Sequence, residues 1–291
     1  MGLSFEQIKE LRASDPGAIA KALKSRKRRK LVQGDGNLFL LAADHPARGA
    51  LAVNGNASAM GSRRELLERF AIALENPKVD GVLGTPDVIE ELSLMGLLEG
   101  KIAVGSMNRG GLKGSSFEFD DRYTAYTAAS LKQQGLDMGK NLLRINLQDP
   151  GTVRTLEHTA KAIDECAMHE VPMLLEPFMS DWVDGKAVNR LTAEAVELSV
   201  AISSGLGSTS AWSWLKLPVV ENMERVMDAT TLPTLLLGGE GSSDQEATFD
   251  SWSNALALPG VKGLVVGRTL LYPHDNDVSK AVAQAANLVH K

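Results

Sequence analysis

Eight short apolar runs, each followed by a stretch with helical periodicity, constrain this chain more than any other feature. The runs are Leu38–Ala43, Val79–Leu83, Ile102–Val104, Leu142–Leu147, Pro172–Leu175, Trp212–Leu217, Thr234–Leu237 and Gly263–Val266. Between them lie amphipathic segments such as Arg63–Leu74, Val88–Leu98, Arg122–Gln134, Val153–His169, Thr192–Ser203 and Gln245–Leu256, with a shorter one at Glu221–Asp228. A strand followed by a helix reads as a parallel βα unit, whose crossover helix covers one face of the sheet. Eight such units in 291 residues suit a closed (β/α)8 TIM barrel. A doubly wound open sheet would prefer Gly-x-Gly-x-x-Gly after its first strand, and none follows Leu38–Ala43. No linker or break in composition divides the chain. The expectation is a single barrel domain over residues 34–291 with an N-terminal helical extension over 1–33.

That extension is interrupted at Ser14-Asp15-Pro16, where Asp15 can cap and Pro16 can take a first helical position. The basic run Lys24 to Lys30 reads as a solvated helix face rather than a nuclear-import signal. The net charge of -5 supplies no basic excess to neutralise phosphates, which argues against nucleic acid as a partner. No apolar stretch reaches the eighteen or so residues that span a membrane. The first residues lack the basic region and apolar run of a secretory signal, and the single cysteine, Cys166, fits a reducing cytosol. Cys166 lies in a helical pattern and reads as a packed residue rather than a nucleophile. The expectation is a cytoplasmic protein.

Barrel enzymes carry their chemistry at the C-terminal ends of the strands. Polar side chains gather there: Asp44 and His45 after the first run, Arg144 and Asn146 in the fourth, Glu176 after the fifth and Lys216 in the sixth. Lys216 stands in Trp214-Leu215-Lys216-Leu217-Pro218, where partial desolvation would free its amine as a nucleophile. The structural alternative is a lysine snorkelling from a strand end to water. Strand parity puts Trp212 and Trp214 on its face, which a short strand with Trp212 below the barrel accommodates. Glu176 needs a cationic partner if buried, and a lysine on the adjacent strand can be one, either as a structural ion pair or as a proton shuttle. Asp44 could cap a helix, but none begins immediately. Arg144, inward on its strand, could pair with Glu176 or Asp44 or bind a substrate anion.

Two glycine turns, Gly238-Gly239 and Gly267-Arg268, follow the seventh and eighth runs, where barrels often hold phosphate on backbone amides. The glycine-rich, basic loop Asn108 to Ser116 reads as a surface loop or a mobile lid. The five histidines, His45, His158, His169, His274 and His290, show no paired-ligand spacing, so no metal or other cofactor is expected.

Taken in order, these segments resemble the class I Schiff-base barrel aldolases related to tagatose-bisphosphate and deoxyribose-phosphate aldolases. The residues that carry the resemblance are Leu41-Ala42-Ala43-Asp44 with Arg48-Gly49-Ala50-Leu51, Leu174-Leu175-Glu176-Pro177, Leu215-Lys216-Leu217-Pro218-Val219, Gly238-Gly239 and Gly267-Arg268-Thr269. The resemblance implies that Lys216 forms the imine, Glu176 moves protons and Asp44 assists carbinolamine formation or orients the lysine. Two departures bear on the substrate: Arg144 where relatives often carry a fourth-strand lysine, and the altered Asp44-His45-Pro46 turn. The chain also looks like a (β/α)8 family with members linked to sugar and inositol catabolism, which implies a phosphorylated keto-sugar acid such as 2-deoxy-5-keto-gluconate 6-phosphate as substrate.

The function expected is therefore a class I aldolase cleaving a phosphorylated keto-sugar or keto-sugar acid. Either Glu176 or His45 is its general base. The alternatives are a non-catalytic sugar-phosphate-binding regulator or scaffold, and a lysine-dependent isomerase or transaldolase. A homo-oligomer fits either class, and the first 30 residues could close the barrel bottom or form an interface.

Overall fold

The computed structural model describes residues 2–238 and 245–290. Two helices, α1 (Phe5–Ser14) and α2 (Gly17–Ser25), precede the first strand. There follow β1 (Leu38–Ala43), a 3-10 turn (Pro46–Arg48), α3 (Arg63–Leu74), β2 (Gly81–Gly84), α4 (Pro86–Leu94), β3 (Ile102–Ser106), α5 (Ala128–Gln134), β4 (Met138–Ile145) and α6 (Gly151–Met168). The second half comprises β5 (Met173–Val183), β6 (Lys186–Asn189), α7 (Ala193–Ser204), β7 (Ser213–Pro218), α8 (Met223–Asp228), β8 (Thr234–Leu237), α9 (Gln245–Leu256), β9 (Val261–Val266), α10 (Arg268–Leu271) and α11 (Val278–Val289).

Eight strands pair in parallel in the order β4-β3-β2-β1-β9-β8-β7-β5, and β4 pairing with β5 closes the ring. This is the expected (β/α)8 barrel. The strand β6 stands outside it as an antiparallel partner of the outer half of β5. That hairpin was not expected, because the apolar run ends at Leu175 while the backbone stays extended to Val183.

Side chains alternate between the barrel interior and the helices. Leu40, Ala42, Leu83, Val104, Met138, Leu174, Leu235 and Val265 fill the interior, with Trp214 packed against them. The opposite parity, including Phe39, Leu41, Val82, Leu175 and Leu217, meets the apolar faces of the helices. Because β7 begins at Ser213, Trp212 precedes the strand and Trp214 occupies the pleat below Lys216. Cys166 packs in the core on α6, where burial pushes its thiol up to about 12.

The fourth βα unit departs most from expectation. Its strand starts at Met138, four residues before the apolar run, and its preceding helix starts at Ala128 rather than Arg122. Thr127 and Ser130 form a capping box that fixes that start. The loop expected over Asn108–Ser116 is at the surface over residues 112–116, but its beginning and the residues that follow it are anchored in the protein. Phe119 is fully buried, Glu118 and Asp121 are buried acids, and Phe119 stacks edge-on with Trp182 of the hairpin. A Cβ on Gly111 would meet the Glu118 carbonyl at 2.4 Å, so close packing explains that glycine.

In the basic run of residues 24–30, Lys24, Lys27 and Lys30 are exposed as a solvated face would be, but its arginines turn to acids of the barrel. The Arg26 guanidinium donates to Asp137 at 3.0 Å and to the Gly135 carbonyl at 2.9 Å, and Arg28 donates to the same carboxylate. Arg29 pairs with Asp80, which also accepts from the Phe39 amide and from His290 at the end of α11. Asp80 and Asp137 directly precede β2 and β4, so these pairs close the barrel at the N-terminal ends of its strands. Leu31 adds an apolar contact to the interior. The run was misread because its partners lie 51 and 111 residues away. Among the described residues no helix is long and apolar enough to cross a membrane.

With both side chains almost fully buried, the Arg26–Asp137 pair leaves an uncompensated charge when one partner is removed. Asp137→Ala is expected to lower the unfolding free energy by about 3–5 kcal/mol in urea titrations. A loss below ~1 kcal/mol would assign this contact to the weak surface class.

Candidate active site

One pleat above the apolar interior, the inward positions turn polar. In β1 the parity that carries Leu40 and Ala42 reaches Asp44, and in β3 it reaches Ser106. In β4, β5 and β7 the same parity reaches Lys140, Glu176 and Lys216. All five are buried. The Lys216 ammonium donates to Glu176 Oε1 at 2.5 Å, and Lys140 pairs with the other oxygen of the same carboxylate. Lys140 also donates to Asp44 Oδ2 at 3.0 Å. Arg109, in the loop after β3, pairs with that Asp44 oxygen and donates from Nε to Ser106 Oγ at 2.9 Å.

This network holds its acids ionised. Burial raises the Glu176 carboxyl, but Lys140 and Lys216 outweigh it and bring the group down to about 2. Burial also opposes ionisation of Asp44, and Arg109 and Lys140 hold it well below the usual carboxylate range. Burial pushes the Lys140 ammonium down, against the pull of Asp44 and Glu176. At the rim, burial is the largest influence on His45. Arg268 and Lys216 add to it, Asp44 opposes it, and the imidazole is pushed down to about 3. His45 Nδ1 lies 3.7 Å from Asp44 Oδ1, so a neutral ring stands beside an ionised carboxylate.

Of the residues expected to share the site, Asp44, His45, Glu176 and Lys216 are brought together. Arg144 is not bonded to Glu176 or Asp44. It pairs with the buried Glu118 of the loop after β3. The reason is distance along the strand: Arg144 lies four residues beyond Lys140, roughly 13 Å nearer the mouth. Asn146 turns its Oδ1 to the amide of Gln148 at 2.8 Å, within its own loop. Gly238 and Gly267 end β8 and β9, where a Cβ would meet Val266 and the Ala42 carbonyl respectively. Close strand packing thus accounts for both glycines independently of a ligand. Arg268 follows at the start of the four-residue α10, close enough to lower the His45 pKa. Gly239 lies outside the described residues.

Three site residues were missed: Lys140, Ser106 and Arg109. Lys140 is the fourth-strand lysine that Arg144 appeared to replace. Its signal was present in Met138-Gly139-Lys140-Asn141-Leu142, where Met138 and Lys140 share a parity, but the polar pair hid the strand's beginning. Among the described residues no group of three His, Cys, Asp or Glu side chains is arranged to hold a metal ion.

The depressed His45 pKa has a stability consequence. The unfolded chain binds a proton at an ordinary histidine below about 6.5, while the folded protein resists it until about 3. This contribution is present above 6.5 and is lost as pH falls through that window. His45→Gln is therefore expected to lose less stability than the parent between pH 6.5 and 3, read as urea midpoints across the range. Parallel curves would show that the ring titrates alike in both states.

Comparison with known proteins follows from this geometry. Among curated proteins no match is found. The Schiff base forming fructose-1,6-bisphosphate aldolase, studied through its reaction intermediates, aligns with a TM-score of 0.66 at 17% identity, covering 94% of this chain and 100% of that one. An archaeal fructose-1,6-bisphosphate aldolase, solved with its catalytic lysine bound to the carbinolamine intermediate, aligns with a TM-score of 0.66 at 16% identity over 94% and 100%. At such identities the likeness is one of fold alone. Cgl0159 from Corynebacterium glutamicum (Brevibacterium flavum) is 60% identical over 98% of this chain and 96% of its own, with a TM-score of 0.96. The Cgl0159-like family model matches residues 36–286, and the chain belongs to that family.

Proposed function

We propose that the protein is a class I aldolase that cleaves a phosphorylated keto-sugar or keto-sugar acid through an imine on Lys216. One observation carries this reading: a buried lysine amine at the end of a barrel strand, 2.5 Å from an ionised carboxylate shared with a second lysine. Such an amine is desolvated and has a proton-transfer partner in contact, which is what addition to a ketone and loss of water require.

In the proposed sequence the Lys216 nitrogen adds its electron pair to the substrate ketone carbon. The carbonyl oxygen takes two protons in turn and leaves as water, and Glu176 relays them to this oxygen from the Lys216 nitrogen and the Lys140 ammonium. The resulting iminium accepts the electron pair of the breaking carbon–carbon bond as the hydroxyl on the far carbon loses its proton. That proton goes to the neutral imidazole of His45. The aldehyde departs, the enamine is protonated at carbon, and water releases the second product from Lys216. Lys140 returns Glu176 to its ionised form between these transfers and keeps Asp44 ionised, and Arg268 with the amides at Gly238 and Gly267 receives the phosphate.

Borohydride reduction in the presence of dihydroxyacetone phosphate tests the imine, read by intact mass and peptide mapping. One adduct on Lys216 is expected. Lys216→Ala is expected to lose both adduct and turnover while keeping its circular dichroism spectrum. No adduct from a panel of keto-sugar phosphates, with ligand-induced thermal stabilisation that persists in Lys216→Ala, would instead indicate a sugar-phosphate-binding protein without turnover.

A further inference from the structure

The loop after β3 delivers a cation into the lysine cluster and is built to hold it there. Asn108 clamps the backbone to β4, donating to the Leu142 carbonyl at 2.6 Å and accepting from the Leu142 amide at 2.8 Å. The Arg109 amide donates to Thr124 Oγ1 at 3.2 Å, and Arg48 donates to the carbonyls of Asn108 and Gly111 at 2.6 and 3.0 Å. Asp121 accepts from the Gly111 amide at 3.0 Å and pairs with Arg48. The guanidinium of Arg109, itself 8% exposed, therefore has one direction available, toward Asp44 and Ser106.

Among the described residues, three cations in this cluster (Arg109, Lys140 and Lys216) face two carboxylates, Asp44 and Glu176. Among the described residues the neighbouring paired charges do not offset the excess. Arg144 is matched by Glu118, Arg48 is matched by Asp121, and His45 is neutral. A buried cluster with an excess positive charge relieves it by releasing a proton. An arginine does not release one in a protein, so the release falls on a lysine.

We propose that Arg109 is a positioning residue that sets the protonation of the lysine pair, occupying Asp44 with a permanent cation so that one of the two amines is unprotonated at neutral pH. Glu176 joins the two lysines through its separate oxygens, so the proton can be passed to Lys140 and the free electron pair presented on Lys216. The titration belongs to the pair rather than to either residue. The functional meaning of this device rests on Lys216 forming the imine; the protonation itself does not.

The test reads protonation without any substrate. Proton–carbon NMR of protein labelled at the lysine Cε follows the two signals against pH, assigned through Lys140→Met and Lys216→Met. In the parent one step of the pair is expected below pH 8. In Arg109→Gln the cluster becomes balanced, and that step is expected to rise by at least about one pH unit, a tenfold fall in the neutral fraction at pH 7. Asp44→Asn removes an anion instead and is expected to move the step down, which keeps the test decisive if Arg109→Gln does not fold. A parent with both amines protonated through pH 8, an unmoved step in Arg109→Gln, or an upward or absent shift in Asp44→Asn would overturn the proposal. Borohydride trapping on the same samples separates the two readings. Shifted titrations without any adduct would remove the aldolase and leave the charge device, while an adduct with unshifted titrations would do the reverse.

Discussion

The carboxylate of Glu176 has two oxygens, and each is held by a different lysine inside the barrel. Taking these ions out of water costs several kcal/mol apiece, which only short, well-aligned partners can offset. The constraint reaches outward from there. Lys140 and Lys216 come from strands on either side of β5, so the cluster exists only if the ring of strands is closed and in register. Asp44 enters from β1 across the barrel and completes the second contact of Lys140. Breaking one member exposes the desolvation cost of the rest, so the site is coupled to the architecture that forms it.

The two ends of the barrel use the same chemistry for different purposes. At the closed end, Asp80 and Asp137 sit before strands and take arginines from the N-terminal segment and His290 from the last helix. There the cations are arginines that keep their protons, and the pairs serve as fasteners. At the open end the cations include two lysines packed against acids that are already ionised. Arg109, on a loop pinned to β4, adds an arginine to the same cluster. Arginines thus dominate the pairs below, and lysines enter the pairs above, at the strand ends where barrel enzymes carry their chemistry.

Much of the site was legible because strand parity is a strict rule. Once Leu40, Ala42 and Leu174 are inward, Asp44 and Glu176 must be inward too, and Lys216 follows from Trp214 in the same way. Lys140 was not found because its strand opens with Gly139, Lys140 and Asn141, residues that interrupt an apolar run. Arg109 was not found because it lies in a glycine-rich loop whose direction is set by contacts with Arg48, Asp121 and Thr124, none of them neighbours in sequence. Arg144, equally inward by parity, was placed too deep, since parity gives the face of a strand but not the height.

The sequence by itself determined the eightfold alternation, the closed architecture and the acids and lysine at three strand ends, because those follow from local periodicity of 2.0 and 3.6 residues. Tertiary structure alone decided which charges meet. The basic run of residues 24–30 became a barrel-closing clasp, a surface-like loop became the seat of Arg109, and Glu176 became the bridge between two lysines. These polar contacts join positions up to 210 residues apart, as His290 and Asp80 are, and no local pattern carries that information.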